Sequence, residues 1–254
     1  MAPLPPMEDL GRDARPGTGP TFSAPESLST QRDTLLEVRD LRVHFPLGEA
    51  GQVVRAVDGV SLAVSAGETL ALVGESGCGK STLARAAVGL VRPTHGDIFF
   101  EGQRLEPLGA PSRRPVCQKL QMVFQDPDAS LDPRLTVAAA VSEALELHSS
   151  LARAERAERV QELLNDVGLD PTLGSRFPHE LSGGQKQRVC IARALAPGPR
   201  LLVCDEAVSA LDVSIQAQIL NLLAELKERR GLAYLFITHD LRVVRHIADR
   251  VAVM

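Results

Sequence analysis

The chain has 254 residues, enough for one large α/β domain or two small ones, and either would bury a sizeable core. A formal net charge of -4 argues against broad nucleic-acid binding, and with aromatics at 3% and no tryptophan there is neither a base-stacking platform nor a membrane aromatic belt. No apolar run approaches the roughly eighteen residues that a bilayer span requires. The chain is not expected to cross a membrane by itself.

The first stretch, MAPLPPMEDLGRDARPG, has no basic region leading into an apolar core and no small-residue cleavage site, so a cytosolic protein is expected. Residues 1–34 are rich in Pro, Gly, Ser and Thr and lack sustained apolar periodicity, which reads as a disordered tail. Order is expected from Leu35, in one domain over 35–254. From LLEVRDLRVHF through VVRAVDGVSLAV, apolar residues alternate in short runs broken by Gly48, Gly51 and Asp58-Gly59, the pattern of antiparallel strands.

The apolar run TLALV then leads into GESGCGKST, Gly74 to Thr82, and on into the helical LARAAVGLV. Strand, glycine-rich turn and helix in that order satisfy the context required of the P-loop pattern G-x-x-x-x-G-K-[ST]. A polyphosphate needs backbone N–H donors, which only a loop without bulky Cβ atoms can wrap around it, and Gly74, Gly77 and Gly79 supply that freedom. The helix that follows adds its positive end, Lys80 a full charge, and Ser81 a hydroxyl suited to Mg2+. A unit charge about 4 Å from a phosphate oxygen is worth roughly 4 kcal/mol near a protein surface, against about 0.3 to 1 for the helix dipole. Lys80 therefore carries most of the attraction. The loop by itself leaves a kinase, a GTPase and a transport motor open.

Beyond it, THGDIFFEGQ reads as a turn and a hairpin strand, and KLQMVFQ as a buried strand. TVAAAVSEALELH and ARAERAERVQELLNDVGL carry apolar residues at helical spacing, with Arg and Glu on a solvated face. RLLVCDE reads as a strand, VSIQAQILNLLAELKERR as a long helix, GLAYLFITHD as a strand and turn, LRVVRHIADR as a last helix and RVAVM as a strand. Such alternation implies a mostly parallel sheet with ligand at the carboxyl ends of its strands. In LSGGQKQRVCIARALA, Ser182 is placed to cap a helix, and Gly183 and Gly184 leave its first N–H groups unobstructed, making a second anion site. Cys78, Cys117, Cys190 and Cys204 form no disulfide framework and read as reduced thiols, with Cys78 inside the phosphate loop. His44, His95, His148, His179 and His246 read as surface or satisfied core residues, and no three histidines and cysteines have metal-ligand spacing.

The P-loop, LSGGQ, DE, SALD and THD, in that order, make the chain resemble an ABC-type ATPase, the nucleotide-binding subunit of an ATP-driven transporter, over Leu35 to Met254. The resemblance implies an α/β fold: a P-loop NTPase (RecA-like) core with an N-terminal antiparallel β-subdomain and an inserted α-helical subdomain at about 130–180. It implies that ATP is bound by Gly74, Glu75, Ser76, Gly77, Cys78, Gly79, Lys80, Ser81 and Thr82, with Phe45, just after the first strand, stacked on adenine. Glu206, His239, Gln125 and Lys80 would be catalytic, Ser81, Gln125 and Asp205 would hold Mg2+, and Asp212 would belong to the D-loop. Ser182, Gly183, Gly184 and Gln185 would act in trans, each site closing between two ATPase subunits, identical or related. Further implied partners are transmembrane permease subunits, where helices before LSGGQ would receive a coupling helix, and, indirectly, a solute-binding protein. No nucleic acid is implied. The place of work would be the cytoplasmic face of the cell membrane, as a peripheral subunit.

Long phrases such as FQDPDASLDPRLTV, FPHELSGGQKQRVCIARAL and VSALDVSIQAQILNLLAELK are similar to the ATPases of oligopeptide and dipeptide importers, a group that also contains nickel and glutathione importers. Two departures stand out. The family usually has Pro where this chain has Ala207, which restores an N–H beside the catalytic carboxylate and keeps open a hydrolysis-impaired ATP-binding protein. The family's fold also continues past the position of Met254, so a truncated C-terminus is expected. ABC proteins of DNA repair would need a long coiled-coil insertion between P-loop and signature, and ABC translation factors two tandem sets of motifs; the sequence has neither.

Overall fold

The computed structural model describes residues 33–48, 52–105, 113–149 and 151–254. Of the expected tail, residues 1–32 lie outside the described residues, as does Gly51, while Thr34 already opens the first strand. Strand β1 (Thr34–Leu47) and strand β2 (Gln52–Ser65) form a long antiparallel hairpin, and β4 (His95–Phe100) and the short β5 (Gln103–Arg104) complete a sheet of order β2-β1-β4-β5.

Two expectations change here. Asp58-Gly59 is not a break between strands: Leu41 pairs with Val60 and Arg42 with Asp58, so Gly59, at φ 79°, is an extra residue bulged out of one continuous strand. Phe45 does not follow the first strand but lies inside it, opposite Val54, because pairing with β2 extends β1 out to Leu47.

The second sheet is wholly parallel. Strands β3 (Thr69–Val73), β6 (Leu120–Val123), β7 (Leu201–Asp205), β8 (Ala233–Ile237) and β9 (Arg250–Val253) stand in the order β6-β7-β8-β3-β9. Every residue of β3, β7 and β8 is buried, as their unbroken apolar runs require of strands covered on both faces. The twofold alternation of a strand then divides the core. Leu201, Val203, Leu235 and Ile237 pack with Leu36, Val38 and the P-loop helix residue Leu83, whereas Leu202, Cys204, Tyr234 and Phe236 pack with helical residues such as Ile191, Leu195 and Leu223.

The helices are α1 (Lys80–Ala87), α2 (Arg114–Lys119), the single turn α3 (Pro127–Ser130), α4 (Val137–His148), α5 (Arg153–Asp166), α6 (Gly183–Leu195), α7 (Val213–Arg230) and α8 (Leu241–Ile247). Their starts follow the capping chemistry of the sequence: Thr136 Oγ1 accepts from Ala139 N at 3.3 Å, and an Asp212 carboxylate oxygen accepts from Ile215 N at 3.0 Å. Tyr234 Oη donates to Leu223 O at 2.9 Å, which fixes α7 to the sheet from inside the core. No described helix is long and apolar enough to cross a membrane.

Gly96 shows what the β1–β4 junction demands. At φ 85° a Cβ there would lie 2.3 Å from Asp40 O and 2.5 Å from Arg39 O, whereas Gly102, at φ 74°, has nothing within 4 Å of the same position. Gly102→Ala should cost about 1 to 2 kcal/mol, the strain of left-handed backbone alone. Gly96→Ala should cost clearly more, because backbone oxygens cannot step aside. Equal urea midpoints for the two variants would contradict this reading of the junction.

Candidate active site

Four parallel strands deliver their carboxyl ends to one place. β3 runs into the P-loop, β6 into Gln125, β7 into Asp205 and Glu206, and β8 into Thr238 and His239. The loop is held from the other sheet. A Cβ on Gly79, at φ 103°, would lie 1.9 Å from the Ala56 carbonyl oxygen of β2, so only glycine lets the hairpin press on the loop at that point. Glu75, Ser76 and Gly77 stand exposed along the loop, and Ser81 and Thr82 are half-buried in the first turn of α1.

Lys80 is buried, and its ammonium donates to Gly74 O at 2.9 Å and Glu75 O at 2.6 Å, with Cys78 Sγ at 3.7 Å. Carbonyl dipoles satisfy its donors, and among the described residues no carboxylate forms an ion pair with it, so a phosphate group arriving at the loop meets a cation that is not paired at close range. Ser81 Oγ donates to Asp205 Oδ1 at 2.7 Å. Burial pushes the Asp205 carboxyl above its ordinary range, against the pull of Ser81, Arg85 and Lys80.

Glu206 sits at φ 49°, a left-handed conformation that a non-glycine residue adopts only where its surroundings hold it. They do: its N–H donates to Ile237 O at 3.1 Å, and Ser209 Oγ donates to its carbonyl at 2.9 Å. The turn sends the Glu206 carboxylate away from that of Asp205, to Gln125 Nε2 at 3.2 Å and His239 Nδ1 at 3.4 Å. Gln125 Nε2 also reaches Ser209 Oγ at 3.4 Å. A carboxylate held between an amide and an imidazole, beside a cationic anion cradle, is equipped to take a proton from a water attacking a bound phosphate.

The structure thus gathers Lys80, Ser81, Asp205, Glu206, Gln125 and His239. It does not bring the LSGGQ residues to them. Ser182 caps α6, its Oγ accepting from Gln185 N at 3.3 Å and its N–H donating to Gln185 Oε1 at 2.9 Å, and among the described residues no hydrogen bond joins Ser182, Gly183, Gly184 or Gln185 to the P-loop or to Glu206. Asp212 likewise is an exposed cap at the start of α7. Phe45 is 43% exposed on β1; Val54 opposite it lies two residues before Ala56, the residue that touches Gly79.

For a metal, the available protein donors are one hydroxyl and one carboxylate, Ser81 and Asp205, and among the described residues no group of three or more His, Cys, Asp or Glu side chains gathers. That set fits Mg2+, which takes few protein ligands and completes its shell with water and phosphate oxygens.

The ABC transporter family profile matches residues 57–209, from the strand that touches the P-loop to the turn beyond Glu206. The chain belongs to the ABC transporter family. It is 52% identical over 233 residues to the oligopeptide transport ATP-binding protein AppF of Bacillus subtilis, a match covering 89% of this chain and 70% of that protein. It is 52% identical over 232 residues to the oligopeptide transport ATP-binding protein OppF of Salmonella typhimurium, covering 88% and 70%. Among solved structures, the dimeric ATP-binding cassette MJ0796 in a post-hydrolysis state bound to ADP and Pi superposes with a TM-score of 0.78 at 30% identity, covering 87% of this chain and 94% of that one. The protein is therefore an ABC-type ATPase.

Two contributors to this ATPase's site were not singled out by sequence reasoning, although Ser209 opens the SALD motif. Ser209 matters through hydrogen bonds to Gln125 and Glu206, and Ala56 only through its main-chain oxygen. Of the cysteines, Cys190 and Cys204 are buried thiols whose ionisation burial pushes up to about 12, which keeps them protonated and inert.

The raised Asp205 carboxyl has a measurable consequence. The folded chain keeps this proton to higher pH than the unfolded chain, so stability of the nucleotide-free ATPase falls as pH rises from the ordinary carboxylate range through the raised value. Asp205→Asn keeps an acceptor for Ser81 and removes the ionisation. Its thermal midpoint should exceed that of the wild type above this window, and the gap should close toward acid; parallel profiles would refute the burial effect.

Proposed function

We propose that this ATPase energises an importer of di- or oligopeptides, working as a peripheral subunit at the cytoplasmic face of the cell membrane with permease subunits and, through them, a solute-binding protein. The peptide assignment rests on the likeness to the oligopeptide transport ATP-binding proteins AppF and OppF. The observation that carries the chemistry is Glu206 held between Gln125 and His239 beside the Lys80 cradle.

In the proposed reaction, Lys80 and the loop amides of 74–82 grip the β- and γ-phosphates of ATP, and Phe45 stacks on adenine. Ser81 and Asp205, with Gln125 nearby, would hold Mg2+, which supplies charge neutralisation for the phosphate oxygens. Glu206 takes a proton from a water whose oxygen bonds to the γ-phosphorus as the bridging oxygen leaves with ADP. Gln125 and His239 fix the Glu206 carboxylate and face the γ-phosphate, where positioning and electrostatics do most of the work. Ser182, Gly183, Gly184 and Gln185 stand apart from their own chain's phosphate loop. We infer that they close on the nucleotide of a second ATPase subunit, a copy of this chain or a related one, with Asp212 at the seam. MJ0796 is itself a dimer.

Glu206→Gln should bind ATP with undiminished affinity and hydrolyse it about 10² to 10⁴ times more slowly. With ATP it should also accumulate as a dimer in light scattering, alone or with a partner ATPase. A hydrolysis rate equal to that of the wild type would remove Glu206 from the chemistry and favour a non-hydrolysing binder. Phe45→Ala should weaken ATP binding by about 1 to 3 kcal/mol while leaving inorganic tripolyphosphate binding unchanged, because only the base would stack. Calorimetric titration separates the two ligands, and equal losses for both would refute the stacking role.

A further inference from the structure

The two glycines that open α6 look interchangeable in sequence and are not so in space. Gly183 is exposed, and a Cβ on it would meet Leu211 Cδ2 at 3.6 Å, an ordinary contact. Gly184 is buried, and a Cβ on it would lie 2.5 Å from Ile215 Cγ2, with Ile215 Cβ at 3.8 Å and Cδ1 at 3.9 Å. Non-bonded carbons rest about 3.5 to 4.0 Å apart, so the clash is roughly 1 Å deep.

Ile215 cannot swing clear. Its Cγ2 is bonded to the branch carbon of a β-branched residue in a helix, where one χ1 well dominates. Its N–H, moreover, donates to the Asp212 carboxylate that caps α7, so Ile215 belongs to a first turn that the D-loop residue itself fixes. Glycine is a costly choice inside a helix, since it surrenders the most backbone entropy on ordering. At Gly184 the contact with α7 gives that cost a reason independent of any ligand.

We propose that Gly184 is a positioning residue whose missing side chain seats the tip of α6 on Ile215, locking Ser182 to the Asp212-capped start of α7 so that both segments meet the second subunit as one body. This rests on the reading of the α6 tip as the trans half of the nucleotide site. It distinguishes the glycine pair: beside its place at the trans site, Gly184 also serves a contact within the chain, whereas Gly183 is exposed on the outer side of the tip. In Gly184→Ala, the added methyl lifts the tip by about the depth of the overlap, and a misplacement of about 1 Å at a reacting geometry can cost on the order of 10² in rate.

The test uses the full chain as wild type, Gly184→Ala, Ile215→Ala and the double variant, with kcat, the affinity of the monomer for ATP, and the thermal midpoint measured for each. Gly184→Ala should lower kcat by about tenfold to a hundredfold while monomer ATP affinity and midpoint stay near those of the wild type. Ile215→Ala should remain active, and the double variant should recover most of the lost kcat, because the methyl then has room. A double variant as slow as Gly184→Ala overturns the inference, as does a Gly184→Ala chain as fast as the wild type or one that loses ATP affinity and thermal stability together. Ser182→Arg tests the underlying reading separately: bulk at the exposed tip should abolish ATP-driven dimerisation in the Glu206→Gln background. Dimerisation that survives it defeats the trans site itself, whatever the rescue shows.

Discussion

A buried ammonium group sets the terms for the whole nucleotide end of this molecule. Lys80 has two main-chain carbonyls and a sulfur atom around its charge and almost no water. Charge in such a setting is costly unless an opposite charge arrives, and near a protein surface that arrival is worth several kcal/mol. The loop geometry around it follows from the same constraint. Gly79 lets the Ala56 carbonyl press close, which holds the loop in the wrapped form that turns the Gly74 and Glu75 carbonyls onto the ammonium.

The rest of the site is an outcome of strand order. In the sequence β6-β7-β8-β3, four neighbouring carboxyl ends lie side by side, so residues far apart along the chain become hydrogen-bonding partners. Asp205 and Glu206 show how finely this is arranged. They are consecutive, yet the left-handed backbone at Glu206 sends one carboxylate to Ser81 and the other to Gln125 and His239. Two adjacent acids thereby reach different partners, although burial and, to a lesser extent, the Glu206 charge still raise the Asp205 carboxyl.

The α6 tip belongs to a different arrangement. It is capped on itself by Ser182 and Gln185 and lies close to Ile215 of α7, and among the described residues no hydrogen bond joins it to the phosphate loop. One half of an anion site is fully built around Lys80, while the α6 tip is held by its own cap and lies close against Ile215 of α7.

How much of this was legible beforehand depended on whether the physical signal was local. Unbroken apolar runs, a glycine-rich turn ending in Lys-Ser and Ser182 as a cap are properties of neighbouring residues, so strands β3, β7 and β8, the phosphate loop and the start of α6 could all be read from the chain. The Asp58-Gly59 pair could not, because a bulge differs from a turn only through the partner strand that continues past it, and Phe45 fell inside β1 for the same reason. Nor could the hydrogen bonds of Ser209, the Ala56 carbonyl or the closeness of Gly184 to Ile215 be seen, since each matters through an atom brought near by tertiary packing rather than by sequence, although SALD marked Ser209. The amino-acid order thus determined which groups could bind phosphate and which helices would start where. Only the packed sheets decided which carboxylate faces which donor and which glycine is there for a neighbouring helix, because those are distances between elements and no local preference encodes them.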